Sequence, residues 1–177
     1  VLAEILKPLV RNHLTVLEIG CASGYYYEVL EYLLSKQLHY TGVDYSQPMI
    51  DMARQYYPKA TFFCSDGANL FFADRQFEVV ISSCVLLHVP NYRQHIFETT
   101  RVAQCHVVVS RTPICKRQAT QYLKKFAYGI ETVELVFNER ELLYEFELNG
   151  FRLQKAIEYQ ADLQNDRFET TYLLARG

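Results

Sequence analysis

Three carboxylates and three glycines stand where short apolar runs end, and their spacing suits a nucleoside-bearing ligand. The first run, residues 14–19, closes on Glu18-Ile19-Gly20-Cys21-Ala22-Ser23-Gly24. Gly20 and Gly24 flank a tight turn in which a side chain would keep a ligand from the backbone. A helix starting there presents free N–H groups to the same ligand. Asp44 ends a second run, and a carboxylate in that place can accept two hydrogen bonds from the vicinal hydroxyls of a ribose. A third run ends at Ser65-Asp66-Gly67, where a carboxylate and a bare backbone can meet the exocyclic amine of a purine.

These residues need strands and helices to bring them together, and the pattern supplies both. Residues 14–19, 40–43, 61–64, 77–82 and 106–110 are short apolar runs of buried-strand type. Between them, Tyr26, Leu30, Leu33 and Leu34 recur at helical spacing. So do Met49, Ala53 and Tyr56, preceded by Ser46 as N-cap and Pro48 in the first turn, and residues 92–103 form another helix. Residues 2–12 also have helical spacing, interrupted by Pro8. Beyond residue 110 the pattern predicts a helix over 118–126, a helix over 139–149 stopped by Gly150, and two closing strands, 151–159 and 168–175. Strands alternating with helices, then a strand pair, imply a mostly parallel α/β sheet with an antiparallel edge. The whole, residues 1–177, reads as one domain with an irregular insertion at 112–138.

With these pieces in order, the chain resembles the class I S-adenosylmethionine-dependent methyltransferases. The resemblance rests on residues 16–24, on Tyr40-Thr41-Gly42-Val43-Asp44-Tyr45-Ser46 with Met49, on Ser65-Asp66-Gly67, and on residues 77–89 with their Leu87-His88 stretch. That stretch is similar to the small-molecule branch. The resemblance implies a Rossmann-like, doubly wound, seven-stranded, mostly parallel sheet with an antiparallel C-terminal edge strand and helices on both faces. Carried over by position, Glu18, Gly20, Cys21 and Gly24 would shape the pocket for the methionine part of the cofactor, and Asp44 would hold the ribose. Tyr45 and Met49 would pack near the adenine, Asp66 and Gly67 would contact it, and Ser82 or Ser83 would lie beside the methionine end. Tyr25, nearest the glycine turn, is the favoured pocket contact among the three consecutive tyrosines. The chain departs from the family at Ala22, where the family has a middle glycine, and before the fifth strand, where it lacks a Gly-Gly hairpin.

The implied reaction is in-line attack by an oxygen, nitrogen or carbon of a small-molecule acceptor on the methyl of S-adenosylmethionine, leaving S-adenosylhomocysteine. His88 is the residue placed to serve as a base, its alternative being an ordinary core or surface histidine. His95 reads as a surface residue. A nicotinamide-dependent oxidoreductase is the rival reading, though GxGxxG is replaced by Gly20, Ala22 and Tyr25. A non-catalytic cofactor-binding subunit is the other.

Composition narrows the partners. Eighteen Lys+Arg against twenty Asp+Glu give a net charge of −2, which supplies no broad field for a phosphate backbone, so nucleic acid is not expected. No apolar run approaches the ~20 residues that span a bilayer, so no membrane partner is expected either. Cys21, Cys64, Cys84, Cys105 and Cys115 are odd in number and widely spaced. They read as small buried hydrophobes in a reducing, cytoplasmic setting, with no metal site. The first residues carry neither an initiator Met nor a signal sequence, so the start reads as a truncation or processing point. Charge is uneven. Arg101, Arg111, Lys116, Arg117, Lys124 and Lys125 occupy a stretch without acids, and residues 131–147 are strongly acidic. Two solvated faces of opposite sign are one reading. A basic segment with Tyr122 and Tyr128 beside an anionic acceptor is the other.

Overall fold

The computed structural model describes residues 1–127 and 129–177, so Tyr128 lies outside the described residues. In chain order the elements are α1 (Leu2–Leu6), β1 (Leu14–Ile19), α2 (Tyr25–Leu34), β2 (Leu38–Asp44), α3 (Gln47–Tyr56) and β3 (Thr61–Cys64). Next come β4 (Phe77–Ser83), a single 3-10 turn (Leu86–His88), α4 (Tyr92–Val102), β5 (Ala103–Cys115), β6 (Gln121–Ala127) and β7 (Ile130–Asn138). The chain closes with α5 (Glu139–Leu148), β8 (Phe151–Asp162) and β9 (Arg167–Arg176).

Five strands run parallel in the order β3-β2-β1-β4-β5. On the far side of β5, β9 pairs antiparallel with it and β8 pairs antiparallel with β9. The antiparallel C-terminal strand is thus present but flanked on both sides, and β8 is outermost. The sheet has nine strands among the described residues rather than seven, the additional two being the β6–β7 hairpin. Period-2 side-chain alternation divides the core. Leu14, Val16, Val79, Ile81 and Val108 face α1, α2 and α3, while Leu17, Ile19, Val80, Val107 and Val109 face α4 and α5. Helices therefore cover both faces, as expected of a parallel sheet buried on both sides.

Residues 118–126 were expected to be helical, yet β6 begins within them. Its residues Tyr122, Lys124, Lys125 and Phe126 are exposed, so no buried face holds them; full backbone pairing with β7 does. β7 in turn joins the end of β5 in parallel through Ile114 opposite Phe137 and Cys115 opposite Asn138. Two other expectations change. The first helix stops at Leu6, just before Pro8, and only Cys21 and Cys115 are buried, Cys64 and Cys84 being exposed and Cys105 half-buried. The missing Gly-Gly turn is explained, because α4 passes into β5 with no intervening residue.

Candidate active site

Every residue singled out at a strand end lies at the carboxyl edge of the sheet, around the ends of β1, β2, β3 and β4. The glycine turn is locked to β2: the N–H groups of Gly20 and Cys21 both donate to the Val43 carbonyl, at 2.7 and 3.0 Å. Gly20 and Gly24 have φ of +79° and +82°, which glycine adopts without strain. Ala22 between them is also left-handed, at φ +47°. The space in front of Gly20 is filled by protein. A Cβ built there would meet Val85 Cγ2 at 1.9 Å, so this glycine admits the chain that leaves β4.

Asp44 joins two elements. Its Oδ2 accepts from Ala22 N at 2.9 Å and its Oδ1 from Ser46 N at 2.9 Å. A carboxylate has about four acceptor positions, so two remain, on a side chain that is 9% exposed. Ser46 occupies the N-cap of α3, but its own side chain makes no capping bond. Tyr45 and Met49 leave apolar surface open beside Asp44, at 85% and 41% exposure, and Tyr25 is exposed at the start of α2.

Glu18 lies behind the turn, buried, and accepts a hydrogen bond from the Tyr40 hydroxyl. Burial, with the charge of Asp44 adding to it, pushes its pKa up to about 8 against the effect of that hydrogen bond. It therefore holds its proton at neutral pH. Burial and the same two carboxyls push the Cys21 thiol far up as well, so Cys21 is an inert packing residue. Tyr40 was not anticipated from the sequence. Its signal is the strand alternation, which puts it opposite Val16 and next to the Glu18–Gly42 pair.

Asp66 is exposed, with Oδ1 accepting from Ala68 N at 2.9 Å. A Cβ on Gly67 would meet Ile19 Cγ2 at 2.7 Å and the His95 ring at 2.9 Å. His95, expected at the surface, is 1% exposed and sits against this turn, its Nε2 3.0 Å from Ser82 Oγ. Burial pushes its pKa down to about 4, against the pull of Asp66, so the imidazole is neutral. The helical spacing of Tyr92, His95, Ile96 and Thr99, all buried, was the available signal. Ser83 is buried, and its Oγ has no hydrogen-bond partner among the described residues. His88 ends the 3-10 turn that follows β4, half-buried.

The donor set fits a nucleoside carrying an amino-acid tail. Asp44 has spare acceptor positions, Ser83 has an unused hydroxyl, and the first N–H groups of α2 lack intrahelical partners. Comparison with known proteins decides which family this is. Residues 17–106 match the family described as Methyltransferase domain. The chain belongs to that family, as a class I S-adenosylmethionine-dependent methyltransferase domain.

The cofactor of this family is S-adenosylmethionine. Among curated proteins the domain is 36% identical over 81 residues to the malonyl-[acyl-carrier protein] O-methyltransferase of Bacillus cereus, covering 45% of this chain and 29% of that protein. It is 32% identical over 81 residues to the protein named Probable tRNA methyltransferase 9B of Homo sapiens, covering 46% of this chain and 16% of that one. The chain thus spans less than a third of the length of either. Its fold is that of the magnesium protoporphyrin IX methyltransferase of Synechocystis PCC 6803, crystallised with bound S-adenosylmethionine. The TM-score is 0.74 at 19% identity, covering 99% of this chain and 76% of that chain.

Proposed function

We propose that residues 1–177 act as a single methyltransferase domain. It would move the methyl of S-adenosylmethionine to an oxygen, nitrogen or carbon of a small-molecule acceptor by in-line displacement, leaving S-adenosylhomocysteine. The observation that carries this reading is Asp44, a nearly buried carboxylate tied to the glycine turn and to α3 with acceptor positions to spare. It would accept hydrogen bonds from two vicinal hydroxyls. Glu18, Gly20, Cys21, Gly24 and Tyr25 would frame the methionine portion, with Ser82 and Ser83 at its far end. Tyr45, Met49, Asp66 and Gly67 would take the adenine. When bound, the cofactor supplies a methyl on a positively charged sulfur. The protein's part is then to align the acceptor and exclude water, a matter of positioning.

A small acceptor is supported by charge. The relatives' names cover an acyl-carrier-protein substrate and tRNA. In this chain, however, most of the basic stretch is neutralised by neighbouring carboxylates, which leaves little field for an RNA backbone. The β6–β7 hairpin, within 112–138, is the segment that would shape the acceptor side. No helix among the described residues is long and apolar enough to cross a membrane; a cytoplasmic location is part of this proposal.

Titration calorimetry of the chain with S-adenosylhomocysteine and with NADH tests the reading. S-adenosylhomocysteine should bind and NADH should not, and Asp44→Ala should weaken S-adenosylhomocysteine at least tenfold, as loss of charge-assisted hydrogen bonds implies. Binding of NADH in preference would transfer the site to the oxidoreductases. His88, on the loop after β4, is the candidate base for an acceptor that must lose a proton. Turnover of His88→Ala should then drop at saturating acceptor, and unchanged turnover retires that role.

A further inference from the structure

The acid-free stretch carries six positive charges, and the fold neutralises five of them. Arg101 lies 2.8 Å from both Glu98 and Asp74, Lys116 2.7 Å from Glu158, and Arg117 3.5 Å from Asp166. Lys124 lies 3.1 Å from Glu131, and Lys125 pairs with Glu134. Arg111 differs. Among the described residues no carboxylate stands within 4.0 Å of its guanidinium.

Its position is built by strain. The pairing of β5 with β9 slips between Val109 and Thr112, so Ser110 and Arg111 form a bulge, with Arg111 N and Ser110 Oγ each 3.3 Å from Thr171 Oγ1. Arg111 has φ +55°, and Cys84, the first residue after β4, has φ +57°. Such left-handed backbone is strained for a non-glycine residue, and bulges next to sites re-aim side chains. The two kinks are joined, Cys84 N donating to Ser110 O at 2.9 Å. Both side chains are exposed, Cys84 directly after Ser82 and Ser83 of β4 and Arg111 next to it on the neighbouring strand β5, one residue past the Ser83–Ser110 pair. The phenols of Tyr26 from α2 and Tyr159 from β8 flank the Arg111 guanidinium, and Cys84 lies beside it. Glu169, an acid that acts on Tyr159 and Cys84, accepts a hydrogen bond from the Tyr159 hydroxyl at 3.1 Å.

We propose that Arg111, flanked by Tyr26 and Tyr159, binds an anionic group of the methyl acceptor, a carboxylate or a phosphate. A guanidinium offers a planar fork of donors that matches either one in bidentate fashion. The subsite rests on the methyl-transfer reading above, and it makes the acceptor an anionic small molecule.

The test uses the full chain saturated with S-adenosylhomocysteine and titrated calorimetrically with succinate, with inorganic phosphate, and with uncharged succinamide. At least one anion should bind and succinamide should not. Arg111→Gln should weaken that anion at least tenfold while changing S-adenosylhomocysteine affinity less than twofold, and Arg111→Lys should recover part of the loss. A response to succinate alone assigns a carboxylate, to phosphate alone a phosphoryl group. The proposal is overturned if neither anion binds or if Arg111→Gln binds it unchanged. Should Arg111→Gln also lose S-adenosylhomocysteine, Tyr159→Phe and Arg111→Lys decide: weakened anion binding with cofactor binding intact supports the subsite, and unchanged anion binding removes it. A native chain that binds no S-adenosylhomocysteine overturns the methyl-transfer reading along with the subsite. Anion binding indifferent to Arg111 removes the subsite alone.

Discussion

A single carboxyl shows how far environment outruns residue type. Glu18 ends a motif in which an acid is read as a charge, yet burial raises its pKa to about 8. In the unfolded chain it ionises near 4.3. Between those values the native chain holds a proton that the unfolded chain has released. The stabilisation is therefore complete at acid pH and is lost as pH rises through about 8, at about 1.4 kcal/mol per pH unit in between. Glu18→Gln keeps the shape and removes the ionisation. In urea titrations from pH 5 to 8, the variant's stability relative to the native chain should therefore increase with pH by about that slope. A difference that stays constant with pH would show that Glu18 is charged in the fold. The type and place of Glu18, Asp44 and Asp66 were legible in the sequence because strand ends are marked by breaks in apolar runs. The Tyr40 partner and the proton were not, since both depend on what a neighbouring strand brings alongside.

Elements were legible to the degree that they bury a face. β1, β3 and β4 start where their apolar runs start; in β1 and β4 the residues alternate between two covered sides of the sheet, and edge strand β3 buries Phe62 and half-buries Phe63. β6 buries no face among its described residues, which therefore carry no strand alternation, and the hydrogen-bonding edge of β7 makes it a strand. The same hairpin resolves the charge asymmetry. The basic and acidic stretches meet across it, Lys124 and Lys125 of β6 pairing with Glu131 and Glu134 of β7. α4 was legible as a helix but not as a hub. Its Arg101 donates to the Phe72 and Leu70 carbonyls at 2.8 and 2.9 Å, and Glu98 accepts from Leu70 N at 2.7 Å, which ties down the segment between β3 and β4. His95, one turn before Glu98, thereby reaches the Asp66–Gly67 turn from a position that local sequence assigned to solvent.

At the scale of the molecule the decisive feature is the late strand in the middle. β9 lies between β5 and β8 and buries Phe168, Tyr172, Leu173 and Leu174. Each such side chain contributes roughly 1.5–3 kcal/mol, so together they match the ~5–15 kcal/mol by which a domain is stable. A chain ending at residue 166 would also lose the antiparallel partner of β5, which carries Arg111. It should show no cooperative unfolding transition by circular dichroism, whereas a sharp transition with native-like ellipticity would mean that the parallel strands fold without it.

By itself the sequence determined the α/β class, the strand ends and the identity of the carboxylates and glycines placed there. Each of these is set by residues within about ten positions of one another. The tertiary structure alone decided that Val85 fills the space before Gly20, that Glu18 keeps its proton, that His95 is buried, and that no carboxylate among the described residues pairs with Arg111. Burial and charge pairing are properties of contacts between distant segments, and no local pattern encodes them.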